Sequence, residues 1–139
     1  MTIFNYETDF QLDSERCYAE WVSRIIASEE KKEGEISYIF CDDDYLHKIN
    51  VEYLGHDDLT DIISFDYSLG SEIGGDIFIS IDRVKENALD FNVAFEEELL
   101  RVMAHGILHF AGYKDKSNSD SATMREKENE KIEMFHVKQ

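Results

Sequence analysis

The chain has 139 residues, enough for one domain with a single core and too few for two independent ones. Its 31 acidic against 14 basic residues give a formal net charge of −17, which argues against non-specific adhesion to nucleic acid or to an anionic membrane. No stretch nears the roughly 20 apolar residues of a membrane span, and the first ten residues lack a signal-peptide core. Cys17 and Cys41 form no Cys-x-x-Cys pair and read as buried small apolar groups, so a reduced, cytoplasmic setting is expected.

Taken in order, Thr2 to Tyr6 predicts a short strand. From Leu12 the pattern turns helical, with Asp13 and Ser14 as capping residues and Tyr18, Trp21, Val22, Ile25 and Ile26 recurring at three- and four-residue steps. Glu29 to Glu33 reads as the charged, solvated end of that helix and Gly34 as its stop. Glu35 to Cys41, aromatic and β-branched, predicts a strand covered on both faces. Asp42, Asp43 and Asp44 open a helical pattern with Leu46, Ile49 and Tyr53, where they serve the cap and the helix dipole better than a metal. His47 and His56 have no partner at ligand spacing and read as surface residues.

A loop over Gly55 to Thr60 leads into a strand at Ile62 to Phe65. A glycine-rich turn at Gly70 to Gly75 and a second strand at Asp76 to Ile81 follow. From Asp82 a short amphipathic helix turns Val84, Ala88 and Leu89 inward, and a break at Asp90 to Ala94 precedes a longer one. That helix carries Glu96, Glu97 and Glu98 in its first turn and Leu99, Val102, Met103, Gly106 and Phe110 on its apolar face, with His105 and His109 at the border. Gly106 costs about 1 kcal/mol against Ala in a helix, which calls for a close-passing strand such as Ile62 to Phe65. Ser121 to Gln139 predicts a final charged helix anchored by Met124, Ile132 and Phe135.

The stretch that carries chemistry is His105 to Asp115. Two histidines four residues apart lie on one helix face about 6 Å apart along the axis, so both imidazoles reach a single metal ion. Histidines at this spacing also occur as ordinary half-buried residues. The continuation decides between the two, because Gly112 ends the helix with positive φ and returns Asp115 as a third ligand. Three protein ligands and an open position describe a catalytic zinc, and hydrolysis is the reaction class implied. A carboxylate ligand weakens the ion as a Lewis acid and makes the site more hospitable to Mn²⁺, with zinc still the expected metal. Gly106 stands where H-E-x-x-H peptidases carry their general base, which disfavours a zinc peptidase. Glu98, roughly 10 Å along the helix from His105, reads as a surface residue or one standing behind the ligands. Asp61 reads equally as a partner of the ligands, a proton acceptor, or a cap of the loop before its strand.

The stretch resembles the signature of the YbeY family, H-G-x-L-H-x-x-G-Y-D-H. His105, Gly106, Leu108, His109, Gly112 and Tyr113 match, while Lys114 replaces an Asp and Asp115 the third His. The region before it resembles the family's second signature, Y-R-G-K-D-x-P-T-D-V-L-S-F with a later G-D-I. Tyr53, Gly55, Asp57, Thr60, Asp61, Ser64, Phe65, Gly75, Asp76 and Ile77 match, with Leu54, His56 and Leu59 in place of Arg, Lys and Pro. The two signatures keep their order over Asn50 to Asp115.

This resemblance implies an α+β or α/β fold, one domain over residues 1–139. Its sheet would be small, mixed, mostly parallel and four-stranded, with about five helices around it and the metal site in a cleft at the ligand helix. It implies one zinc ion per chain on His105, His109 and Asp115. It also implies a single-strand-specific endoribonuclease of ribosomal RNA maturation, notably at the small-subunit 3′ end, and of ribosome quality control. The implied partners are ribosomal RNA and the small ribosomal subunit or its assembly factors. The family Arg has no counterpart at Leu54, so Lys114, Lys116 and Arg101, with Arg83 and Lys85 beyond them, are the candidates to hold substrate. A non-catalytic, metal-stabilised ribosome-assembly factor is the alternative.

Overall fold

Lys32–Cys41 is the middle of the sheet. This strand, β2, pairs in parallel with β1 (Thr2–Tyr6) on one side and with β4 (Glu72–Ser80) on the other. β3 (Ile62–Asp66) runs antiparallel along the outer edge of β4, giving the order β1-β2-β4-β3. The helices of this computed structural model are α1 (Glu15–Ser28), α2 (Asp43–Ile49), α3 (Ile81–Phe91), α4 (Phe95–Phe110) and α5 (Asn118–His136), and residues 1–137 are described. Five helices and a mixed, mostly parallel sheet make the α+β fold that the resemblance implies.

A central strand needs apolar residues on both faces, and β2 supplies them. Ile36, Tyr38 and Phe40 enter the main core with Trp21, Ile25, Leu100 and Met103, while Cys41 joins Leu46 and Ile63 in a smaller cluster. Buried polar tips are satisfied: Tyr38 Oη donates to Met103 O at 2.9 Å and Trp21 Nε1 to Lys131 O at 2.7 Å. α4 lies directly on the sheet at Gly106, where an added Cβ would meet Ile77 Cδ1 at 2.9 Å and Ile62 Cδ1 at 3.3 Å. The close-passing strand is therefore β4 together with the expected β3.

Several boundaries differ from the sequence expectation for identifiable reasons. α1 stops at Ser28 and the chain reverses at Glu30 (φ 58°), so β2 starts at Lys32 and Gly34 lies inside it. A hydrogen bond from Lys32 N to Ser71 O (2.8 Å) and the Met1 ammonium beside Glu33 (3.1 Å) draw this segment into the sheet. Glu29 is no solvated end, because Lys131 Nζ (2.7 Å) and Tyr113 Oη (2.7 Å) both donate to its carboxylate. β4 begins at Glu72, so Gly74 and Gly75 are strand residues. Ile81 begins α3, whose cap Ser80 accepts from Arg83 N at 3.2 Å. Leu89 points outward at 76% exposure and Cys17 is exposed, whereas Cys41 is buried. α5 starts earlier than expected, at Asn118 behind its cap Ser117, and the expected end at Gln139 lies outside the described residues. Asp42 caps α2 as expected, accepting from Tyr45 N at 2.8 Å. His47 bonds Asp57 at 2.8 Å, and His56 is exposed. Among the described residues no helix is long and apolar enough to cross a membrane.

Candidate metal centre

The last turn of α4 and the loop after it build the site. Gly112 takes φ 109°, and its N–H donates to His109 O at 3.0 Å while Tyr113 N–H donates to Leu108 O at 3.0 Å. These bonds close the end of the helix and send the chain back across it. Asp115 then presents one oxygen, Oδ2, 3.2 Å from His105 Nε2 and 3.3 Å from His109 Nε2. The three donor atoms lie within 4.8 Å of one another. The loop is anchored through Tyr113, whose hydroxyl donates to Glu29 at the end of α1 (2.7 Å).

The imidazoles are oriented from behind. His105 Nδ1 contacts Glu128 Oε2 at 2.6 Å, and His109 Nδ1 contacts the Tyr113 carbonyl at 3.0 Å. A carbonyl can only accept, so His109 carries its proton on Nδ1, and the Glu128 carboxylate fixes the same tautomer on His105. Both Nε2 lone pairs therefore point toward Asp115. This is the donor set a divalent cation takes, with acceptors behind the ligands holding their rings, and the residues present fit such an ion. Glu128 is itself held by Arg101 Nη1 at 3.0 Å, and Arg101 Nη2 donates to Asn129 Oδ1 at 2.9 Å.

The cluster opens into a cleft of about 480 Å³ whose walls include Asp61, Ser64, Asn87, Glu98, Arg101 and Arg125. Burial raises the Glu98 carboxyl above the usual range, with the Asp61 charge adding to it and Arg101 and Arg125 opposing it. Asp61 is raised too, chiefly by burial, although His105 and the N–H groups of Asp61 and Ile62 favour its ionised form. Burial works against a protonated His105, but Glu128, Asp115 and Asp61 outweigh it and lift its pKa.

Glu98 is thus neither a surface residue nor a direct neighbour of the ligands; at 5% exposure it is a buried wall of the cleft. Asp61 lines the cleft just before β3 and accepts a long bond from Asn87 (3.4 Å), with no hydrogen bond to either histidine among the described residues. Arg101 lines the cleft with its guanidinium engaged by Glu128 and Asn129, while Lys114 and Lys116 are exposed outside its walls. Arg83 bonds Asp43 (3.0 Å), Lys85 is exposed elsewhere on α3, and Leu54 lines no part of the cleft. Sequence reasoning missed Glu128. Its only local signal was an acid four residues after Met124, on the apolar side of a helix otherwise charged all round.

The fold and the site together define an α+β protein with a His-His-Asp candidate metal centre at the end of one helix. A model of the Endoribonuclease YbeY family matches residues 2–136, and the chain belongs to that family. It is 69% identical over 139 residues to "Endoribonuclease YbeY" of Flavobacterium johnsoniae, covering all of both chains. Against the protein of the same name from Christiangramia forsetii it is 58% identical over 136 residues, 98% of this chain and 95% of the relative. The solution structure of TM1509 from Thermotoga maritima superposes with a TM-score of 0.68 at 28% identity, covering 96% of this chain and 89% of that one.

Proposed function

We propose that this protein is a metal-dependent endoribonuclease specific for single strands. In this reading it acts in ribosomal RNA maturation at the small-subunit 3′ end and in ribosome quality control, inside the cytoplasm. One zinc ion per chain is held by His105, His109 and Asp115, and the partners are ribosomal RNA and the small ribosomal subunit. The observation that carries the reading is the convergence of two tautomer-fixed Nε2 atoms on one Asp115 oxygen. Family membership and the names of the relatives supply the substrate class.

A cation in this position supplies a Lewis acid for a phosphoryl oxygen. The chain's own residues do the rest. Glu128 and the Tyr113 carbonyl fix which nitrogens face the cleft, and Arg101 holds the Glu128 side chain in place. Asp61 and Glu98 line the cleft beside the ligands, and burial raises the pKa of both, which favours their protonated forms relative to exposed carboxyls. A peptidase reading lacks its base, since Gly106 packs against Ile77 and has no side chain to offer.

The test is cleavage of a single-stranded fragment of small-subunit RNA by wild type and His109→Ala, with metal content measured in both. Loss of metal and of cleavage in the variant is expected, with a duplex of the same sequence left uncut. Equal cleavage by the two proteins would sink the proposal. Association of metal-depleted protein with small subunits, with no cleavage by wild type, would select the assembly-factor reading instead.

A further inference from the structure

Two hollows meet at the metal cluster. The cleft described above lies on one side, and a second hollow of about 430 Å³, lined by Asn118, Ser121 and Met124, lies on the other. His105, Asp115, Glu128 and Arg125 belong to both, so a chain crossing the centre from one hollow to the other passes Arg125. Among the cationic side chains around the two hollows, Arg101 is engaged with Glu128, and on α5 Lys127 and Lys131 are engaged with Glu29. Arg125 has no ion pair or hydrogen bond among the described residues. It is the one unengaged cation in the walls of either hollow.

Phe91, the last residue of α3, lines the first cleft and not the second hollow. It is 58% exposed, and it is the one large, strongly exposed hydrophobic residue that lines this polar cleft. An aromatic ring left in water beside a reaction centre has a ready use where the substrate carries unpaired bases, because an unpaired base can turn its face onto the ring while the faces of a paired base are already stacked within the duplex.

Building on the ribonuclease reading, we propose that the substrate strand runs from Phe91, which stacks an unpaired base, across the metal centre to Arg125, which binds a backbone phosphate. In this arrangement Phe91 selects single strands and Arg125 sets register. Neither role requires Lys114, Lys116 or a cation at position 54.

The two contacts differ in their response to salt, which makes them separable. A phosphate contact releases counterions and a stacked ring does not. The experiment measures anisotropy of a labelled single-stranded RNA oligonucleotide on the metal-depleted protein at several salt concentrations, and KM and kcat on the metal-loaded protein. Arg125→Ala is expected to weaken binding about tenfold and to flatten the slope of log affinity against log salt by about 0.7, with Arg125→Lys restoring the slope. Phe91→Ala is expected to weaken binding about tenfold with the slope unchanged, Phe91→Trp to restore it and Phe91→Leu not. In both alanine variants KM rises more than kcat falls, and Lys48→Ala, an exposed position outside both hollows, behaves as wild type. Wild-type affinity and slope in Arg125→Ala overturn the phosphate contact, and wild-type binding by Phe91→Ala or Phe91→Leu overturns the stacking. If the wild-type protein neither binds nor cleaves RNA, the ribonuclease reading falls with them; if it does both and the double alanine variant matches it, only this path falls.

Discussion

Helix α5 carries a charged residue into the interior twice within one turn, and the two surroundings are built on opposite plans. Lys131, fully buried, meets Glu29 at 2.7 Å and Ser28 Oγ at 2.8 Å, with Lys127 and Glu130 completing a cluster of two cations and two carboxylates. Three residues earlier, Glu128 faces a cleft where it, Asp61, Glu98 and Asp115 outnumber Arg101 and Arg125. The balanced cluster is closed and ties α5 to α1. The unbalanced one is left with negative charge that only a proton or a cation can offset, and it lies where two imidazoles also converge. A surplus of buried charge marks the chemistry, and a matched set marks the scaffold.

The sharpest break in this comparison is His109→Ala. It removes a donor from the open cluster, so metal content should fall to near zero and cleavage by more than the ten- to a hundredfold typical of losing a group behind a ligand. Stability of the metal-free protein should barely change. Lys131→Met attacks the closed cluster and should do the reverse. Leaving Glu29 short of a buried partner destabilises by about 3 kcal/mol in denaturant titration, with zinc affinity unaltered. Equal effects of both variants on metal and on stability would erase the distinction.

Glu128→Gln tests the join between the two plans. It keeps the size of the side chain but weakens the acceptor behind His105, so zinc affinity should drop by about ten- to a hundredfold in a competition titration. Asn129→Ala, which removes only the second anchor of Arg101, should leave affinity within about twofold of wild type, as surface changes usually do.

The smallest effect distinguishes the clusters by pH. Burial opposes ionisation of Glu29, yet bonds from Lys131 and Tyr113 hold its pKa below the ordinary value. Its contribution to stability is therefore complete above the ordinary Glu pKa and is lost as pH falls through the lowered one. Glu98 has the opposite sign: burial raises its pKa, so its contribution is present below the ordinary value and is lost as pH rises through the raised one. In metal-free protein, Glu98→Gln should raise stability near neutral pH by about 1 kcal/mol and leave the acid limb untouched. A destabilised Glu98→Gln protein would mean that the carboxylate is paired after all.

The fold was legible where local pattern and tertiary need agree. The periodic face of Tyr18, Trp21, Val22, Ile25 and Ile26 is wholly buried, and the run after Gly34 is the central strand. The His105, His109 and Asp115 constellation could be read because helix geometry and a glycine stop bring those three residues together locally, before the distant Glu128 orients the His105 ring. What stayed hidden depends on long-range partners. Glu29 looked solvated because Lys131 and Tyr113 are 102 and 84 residues away. Glu128 looked like one acid among many on a charged helix, since nothing local says which face meets α4. Leu89 took an inward place on the helical wheel, yet the narrow buried face of α3 is filled by Ile81, Val84 and Ala88. Two signatures also predicted the family, and the match over residues 2–136 bears that out.

Gly106 makes the metal centre an instrument with one fixed jaw and one adjustable jaw. At Gly106 α4 packs so close to the sheet that an added Cβ would meet Ile77 Cδ1 at 2.9 Å, and the helix itself sets the separation of His105 and His109. Asp115 sits on an exposed return loop beyond Gly112 and has no such seat. Accommodation of cations of different size would fall to that carboxylate arm, while a replacement of Gly106 would act first on the helix that carries the two histidines.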